Sequence, residues 1–299
     1  MRNIVVLTGA GVSAESGVAT FRGPDGLWEG HRVEDVATPH AFERDPALVH
    51  AFYDARRAKL GTVEPNGAHA ALARLDAEWP GELLIVTQNV DDLHERAGTK
   101  RLLHMHGELK KGWCLACGER FPWDGPMGEN SLNAVRPEPV EGLSFFSNEQ
   151  RKSSPSTMTK TDHPPDGPGL SSSGRTDVRG TSVRTSSGRT EVGICEAVNI
   201  CPSCNAVGRV RPDIVWFGEM PYAMERIDEA LMRCDLFVSI GTSGAVYPAA
   251  GFVQTARYCG AHCVEINLEP SLGSYFFHES RIGKAGELVP QWVDEVLAA

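Results

Sequence analysis

Long hydrophobic runs are missing from this chain of 299 residues: none approaches the roughly 20 positions that a membrane-spanning helix needs. Excess positive charge is missing as well. Lys and Arg number 29 against 39 Asp and Glu, a formal net charge of −10, which argues against a basic nucleic-acid-binding surface. The same balance would tolerate a cationic partner such as a lysine-rich protein tail. The first apolar run begins at residue 4, which leaves no room for a signal peptide, so a cytoplasmic protein is expected. In that compartment the eight cysteines are expected to be metal ligands or core residues rather than disulfides. What is present is a globular composition, 41% hydrophobic and 23% charged, with enough chain for one large core plus a small module.

The apolar run Ile4-Val5-Val6-Leu7 reads as a buried strand, and Gly9-Ala10-Gly11-Val12-Ser13-Ala14 follows it. This is the G-x-G-x-x-G/A spacing of a dinucleotide loop, in which one glycine makes the tight turn and the next lets the backbone approach a pyrophosphate. Alone it is a weak signal. A regular nucleotide fold would continue into a second apolar strand ending in an acidic ribose ligand. Between Ser16 and Gly30 there is none; Phe21-Arg22-Gly23-Pro24-Asp25-Gly26 is a loop placed to fold over a cofactor.

The pattern G-A-G-x-S-x-x-S-G-x-x-x-F-R-G runs unbroken from Gly9 to Gly23 and resembles the signature of the sirtuins, NAD-dependent protein-lysine deacylases. The resemblance implies that Gly9, Ala10, Gly11, Ser13, Phe21, Arg22 and Trp28 line the NAD site. Further along, Val33–Leu60 carries an apolar pattern of helical character. Tyr53 and Arg56 stand three apart and share one face of it. Unaided, this reads as a surface helix with Arg56-Arg57 solvated. Tyr53-x-x-Arg56 also resembles the acyl-pocket pair of the sirtuin subgroup that prefers succinyl- and malonyl-lysine. An arginine fork can grip a carboxylate by two charge-assisted bonds and a tyrosine hydroxyl can add a third, so acidic acyl chains are expected over acetyl.

Pro65–Trp79 reads as a helix and Leu83–Val86 as a second buried strand, leading into Thr87-Gln88-Asn89-Val90-Asp91-Asp92. Asp91 or Asp92 could simply cap a helix. The family's matching segment lines the nicotinamide and ribose end of the NAD pocket, which implies that role for Gln88, Asn89 and Asp91. Next come His104 and His106, after an apolar run and before a glycine, and spacing does not choose between them. The family motif H-G-x-L matches His106-Gly107-Glu108-Leu109, which implies His106 as general base and His104 as a satisfied neighbour.

Cys114-x-x-Cys117 and Cys201-x-x-Cys204 are two knuckles of the kind that hold a structural zinc ion between four thiolates. Such a site is closed to water, so no metal-activated hydrolysis is expected. Cys195 is a spare thiol nearby, and Cys234, Cys259 and Cys263 are expected as small core residues. The knuckles of a zinc ribbon usually stand about 15–20 residues apart, and here a far longer segment separates them. Ser, Pro, Gly, Thr and Arg dominate about 128–193, and this is expected to be a disordered insertion, with a regulatory or partner-binding loop as the alternative.

In the second half, Arg211–Glu219 reads as a core strand; the family's corresponding segment pairs edge-on with substrate backbone, which implies Val215 and Phe217 as substrate-binding. Cys234–Ile240 and His262–Ile266 read as further strands, each ending in small or polar residues. The family contacts NAD there, which implies Gly241, Thr242, Ser243, Asn267, Leu268 and Glu269, and Ala285 falls where adenine is contacted. The chain closes with a helix over Glu287–Leu297.

The expected fold is α/β: a Rossmann-like parallel-sheet domain over 1–106 and 209–299, with a small zinc-binding module over 107–208 containing the insertion. The implied activity moves acyl groups from protein lysines onto ADP-ribose with release of nicotinamide, and a monomer without nucleic-acid or membrane partners is expected. A mono-ADP-ribosyltransferase and an idle NAD-binding sensor are the competing readings.

Overall fold

The computed structural model describes residues 2–19, 28, 30–127 and 199–299. The expected insertion, Cys195, Phe21 and Arg22 lie outside the described residues. The chain runs through β1 (Asn3–Thr8), α1 (Gly11–Ala14), α2 (Val33–Val36), α3 (Pro39–Arg44), α4 (Pro46–Leu60), α5 (Gly67–Glu78), β2 (Glu82–Thr87), α6 (Leu93–Ala97) and β3 (Leu102–His104). It continues with β4 (Gly107–Cys114), β5 (Arg120–Pro122), β6 (Val210–Ile214), α7 (Met224–Arg233), β7 (Leu236–Ile240), α8 (Phe252–Tyr258), β8 (His262–Asn267), β9 (Glu279–Ile282) and α9 (Ala285–Ala298).

Six strands form one sheet in the order β3-β2-β1-β7-β8-β9, and every pairing in it is parallel. The central strands carry continuous apolar runs, such as Ile4–Leu7 and Leu83–Val86, because helices cover both faces. Ile4, Val6, Leu83, Ile85, Val238 and Ile266 pack against Leu72 and Leu75 of α5 and Val289, Trp292 and Val293 of α9. Their sequence neighbours Val5, Leu7, Leu84, Val86 and Phe237 meet Ile227 and Leu231 of α7 and Phe252, Val253 and Ala256 of α8. The chain builds outward from β1 through β2 to β3, then returns to place β7 on the other side of β1. That reversal makes the β1/β7 junction the switch point where open α/β sheets leave a crevice.

The helical pattern over Val33–Leu60 is three helices rather than one. Thr38 and Asp45 each precede a proline, which disfavours helical backbone at the residue before it. Both take extended-side φ values of −138° and −147° and become N-caps instead. Thr38 Oγ1 accepts the Ala41 N–H at 3.0 Å and Asp45 Oδ1 accepts that of Leu48 at 2.9 Å. These helices share a third core, with Phe42, Val49, Phe52, Tyr53 and Leu60 packed on Leu93, Leu109, Ile214 and Trp216.

The second sheet is antiparallel, in the order β5-β4-β6. The strand expected over Arg211–Glu219 ends at Ile214. Arg211 grips Glu219 with two guanidinium bonds of 2.6 and 2.9 Å, the Glu219 carboxylate accepts the Trp216 N–H at 2.8 Å, and Gly218 turns at φ +90°. A carboxylate folded back on its own strand closes a turn where the apolar pattern suggested extension. Two further expectations are corrected. Cys259 is exposed, because it follows the last turn of α8, whereas Cys234 and Cys263 are buried. Arg57 is not solvated: it is buried in an ion pair with Asp54.

Candidate active site

Gly9 follows β1 and Gly241 follows β7, so the switch point is lined by glycines from both sides. Gly11 N–H donates to Gly241 O at 2.7 Å, and a Cβ on Gly11 would lie 2.7 Å from Gly241 Cα. Gly241 itself has φ +63°, and a Cβ there would meet the Val12 amide at 2.4 Å. The two loops therefore pack backbone against backbone, with no room for a side chain between them.

Polar groups gather at the same edge because each follows the carboxyl end of a parallel strand. Gln88, after β2, donates its side-chain N–H to Thr242 Oγ1 at 3.1 Å. Asn89 Nδ2 donates to Ser13 Oγ at 3.1 Å, and Ser13 Oγ donates to Asp91 Oδ2 at 3.0 Å. Asp91 Oδ1 also accepts the Leu93 N–H at 3.2 Å at the start of α6, one residue before the cap position, which Asp92 occupies without a side-chain bond. Burial raises the Asp91 carboxyl above its ordinary range, while its bonds to Leu93 and Ser13 pull the other way. Beneath this layer lie two histidines that the sequence reading did not single out: His69 Nε2 is 3.4 Å from Ser13 Oγ, and His94 Nε2 is 3.1 Å from Thr8 Oγ1. Their rings meet edge to face at 4.8 Å.

The choice between His104 and His106 follows from which ring nitrogens are spoken for. His104 Nδ1 lies 2.9 Å from the Asn89 carbonyl and its Nε2 2.7 Å from Glu95 Oε1, so both nitrogens face acceptors. Burial lowers the His104 pKa, but the Glu95 bond and charge outweigh it and the net shift is upward. Both of its ring nitrogens are engaged by these acceptors. His106 has its Nδ1 3.1 Å from the Gln88 carbonyl, which can only accept, so that nitrogen carries the proton. Nε2 therefore keeps its lone pair. Burial lowers the His106 pKa, partly offset by the bond to Gln88, and the ring stays neutral near pH 7.

The four knuckle cysteines converge. The ligand atoms of Cys114, Cys117, Cys201 and Cys204 all lie within 4.8 Å of one another, with Cys114 to Cys204 and Cys117 to Cys201 at 3.7 Å. Tetrahedral zinc with Zn–S near 2.3 Å requires S···S edges of about 3.8 Å, so the cluster fits a structural zinc ion with no open position.

The remaining expected residues lie on several different elements. Asn267 Nδ2 donates to the Thr242 carbonyl at 2.8 Å, tying the end of β8 to the loop after β7. Ser243 accepts the Leu272 N–H through its carbonyl, Leu268 is exposed, and Glu269 is exposed beside it. Ala285 is buried at the first turn of α9. Trp28 packs edge-on against Phe52 and Tyr53, with the Arg56 guanidinium 4.9 Å from its ring centre. Tyr53 is fully buried and its oxygen accepts the Trp216 indole N–H at 3.0 Å. Arg56 lies over the Phe52 ring and donates to the Phe52 carbonyl at 2.6 Å. Val215 and Phe217 donate their N–H groups to His106 O and Ala37 O at 2.9 and 3.0 Å.

Comparison with known proteins bears on the whole arrangement. The pattern of the Sir2 family matches residues 9–248. A protein of Shewanella oneidensis named NAD-dependent protein deacylase is 45% identical over 299 residues, covering 99% of this chain and 95% of the relative. One of the same name from Pasteurella multocida is 44% identical over 296 residues, covering 98% and 97%. Among solved structures, a Sir2 homologue in complex with NAD aligns with a TM-score of 0.68 at 31% identity, covering 98% of this chain and 89% of that one. A Sir2 homologue mutant with ADP-ribose aligns at 0.70 and 31%, covering 98% and 91%. With a family pattern across most of its length and relatives matched end to end, this chain belongs to the Sir2 family.

Proposed function

We propose that this chain is an NAD-dependent protein-lysine deacylase, releasing nicotinamide and free lysine and moving the acyl group to ADP-ribose. The observation that carries the reading is the single ring nitrogen of His106 left with a lone pair at the edge of the glycine-walled crevice. NAD, when bound, supplies a glycosidic bond to break and the ribose hydroxyls that receive the acyl group. Gly9, Ala10, Gly11 and Gly241 would meet its phosphates, Thr242, Ser243, Asn267, Leu268, Glu269 and Ala285 its adenosine half, and Ser13, Gln88, Asn89 and Asp91 its nicotinamide ribose. His106 Nε2 takes a proton from a hydroxyl, a task that suits a neutral histidine. The substrate is a lysine-bearing protein segment lying along Val215–Phe217. Because the N–H groups of Val215, Trp216 and Phe217 are taken internally and the Trp216 carbonyl accepts the Glu219 N–H at 3.0 Å, an incoming peptide would find its acceptor at the Val215 carbonyl.

Acidic acyl chains are the preferred cargo in this reading. Arg56 provides the guanidinium, and Tyr53, whose oxygen already accepts from Trp216, offers its remaining O–H proton. Burial pushes the Tyr53 phenol up, which keeps that proton in place. Mass spectrometry of acetyl-, malonyl- and succinyl-lysine peptides incubated with NAD tests both claims. O-acyl-ADP-ribose is the expected product. Label transferred to protein would favour ADP-ribosylation, and NAD binding without nicotinamide release would favour a sensor. Arg56→Met should lower the succinyl-to-acetyl turnover ratio at least about tenfold by the loss of a charge-assisted bond, and an unchanged ratio would refute the acyl preference.

A further inference from the structure

His69 sits at the third position of α5, buried, and touches both the cap of its own helix and the polar layer beneath the crevice. The Asn66 N–H donates to His69 Nδ1 at 3.3 Å, completing a capping box. Asn66 Oδ1 is also 3.1 Å from Nδ1, but its lone pairs already receive the N–H groups of Ala68 and His69 at 3.0 and 3.4 Å. Nδ1 is therefore the acceptor, and the ring proton is on Nε2. Burial lowers the His69 pKa to about 4, so the ring does not gain a second proton near neutrality.

Nε2–H faces Ser13 Oγ at 3.4 Å. A serine hydroxyl has two lone pairs and one proton. Here the lone pairs receive Asn89 Nδ2–H and His69 Nε2–H, and the proton goes to Asp91 Oδ2 at 3.0 Å. In the opposite tautomer Nδ1–H would oppose the Asn66 N–H. Ser13 would then have to turn its proton toward Nε2, leaving Asp91 Oδ2 without this donor. One arrangement satisfies every group.

We propose that His69 is a positioning residue of the cofactor crevice: held in one tautomer by the cap of α5, it fixes the direction of the Ser13 hydroxyl and thereby holds Asp91 oriented as a hydrogen-bond acceptor. This rests on the reading of Ser13 and Asp91 as the nicotinamide-ribose end of the site. A helix cap, in this account, sets the hydrogen-bond direction of a binding wall.

Two substitutions separate positioning from packing. In His69→Gln the longer amide can still present an N–H to Ser13. In His69→Asn the shorter amide can still accept the Asn66 N–H and cannot reach Ser13. Nicotinamide release and calorimetric NAD affinity should stay within about threefold of the parent for Gln and fall at least about tenfold for Asn, the scale of one hydrogen bond in a buried network. Melting temperatures should not follow that order. Parent-like kinetics for Asn, or a folded Gln variant as impaired as Asn, overturns the proposal. Long-range proton–nitrogen spectra of histidine-labelled protein, with His69 identified by its loss in the Gln variant, read the tautomer directly. Protonated Nε2 and bare Nδ1 are expected, and the reverse overturns the proposal even in a fully active enzyme. Failure of the parent protein to bind NAD would instead strike at the function assigned to the crevice, leaving the tautomer result to stand by itself.

Discussion

Replacing Arg57 by methionine removes a charge from one of the most enclosed ion pairs in the protein. Arg57 and Asp54 side chains are 2% and 5% exposed and meet at 2.5 Å on one face of α4. Arg57 also donates to the carbonyls of Leu109 and Gly125 at 3.0 and 3.2 Å, and both Asp54 oxygens lie 2.9 Å from the Met127 N–H. The pair thus fastens α4 to the zinc-bearing segment. Methionine fills much of the volume but strands the Asp54 carboxylate in the interior, a change that costs about 3–5 kcal/mol. In a domain of this size roughly 2–4 °C is lost per kcal/mol, so the melting temperature should fall by about 6–20 °C. Differential scanning calorimetry measures it, and chelator-driven zinc release should quicken in parallel. The double variant Asp54→Asn with Arg57→Met should recover part of the loss, because no charge is left uncompensated. A single variant within about 1 kcal/mol of the parent would show that the ion pair does not hold these parts together.

His106→Asn should lower turnover about 10²- to 10⁴-fold, the usual contribution of a positioned base, while calorimetric NAD affinity changes little. In the parent enzyme the depressed His106 pKa keeps the ring neutral to lower pH than usual, so the acid limb of kcat/KM should fall below the ordinary histidine value of about 6.5; a limb above it would contradict the assignment. Elemental analysis should find one zinc per chain, and Cys201→Ser should abolish it with a loss of thermal stability, since a closed thiolate site contributes directly to folding. Retention of full metal content by that variant would remove Cys201 from the ligand set.

Much of this molecule was legible in residue order because the signals were local. Apolar runs such as Ile4–Leu7 and Leu83–Val86 became central strands, since a strand covered on both faces has no polar positions to alternate with. The two C-x-x-C pairs declared a metal site despite the long segment between them, because ligand spacing within each knuckle is fixed by the turn that carries it. Local reading failed where a short-range feature competed with the pattern. Pro39 and Pro46 divided one apparent helix, and the Glu219 carboxylate folded an apparent strand into a turn.

What the residue order determined by itself was the family, the sheet, the metal ligands and a pair of candidate histidines. Only the tertiary structure distinguishes the two, because among the described residues both ring nitrogens of His104 face acceptors from Asn89 and Glu95, whereas His106 meets only the Gln88 carbonyl. The same holds for Arg57, whose burial depends on Leu109 and Gly125, and for His69, whose tautomer depends on Asn66 and Ser13 together. Hydrogen-bond direction and desolvation are properties of groups brought together from distant positions in the chain, and no spacing along it encodes them.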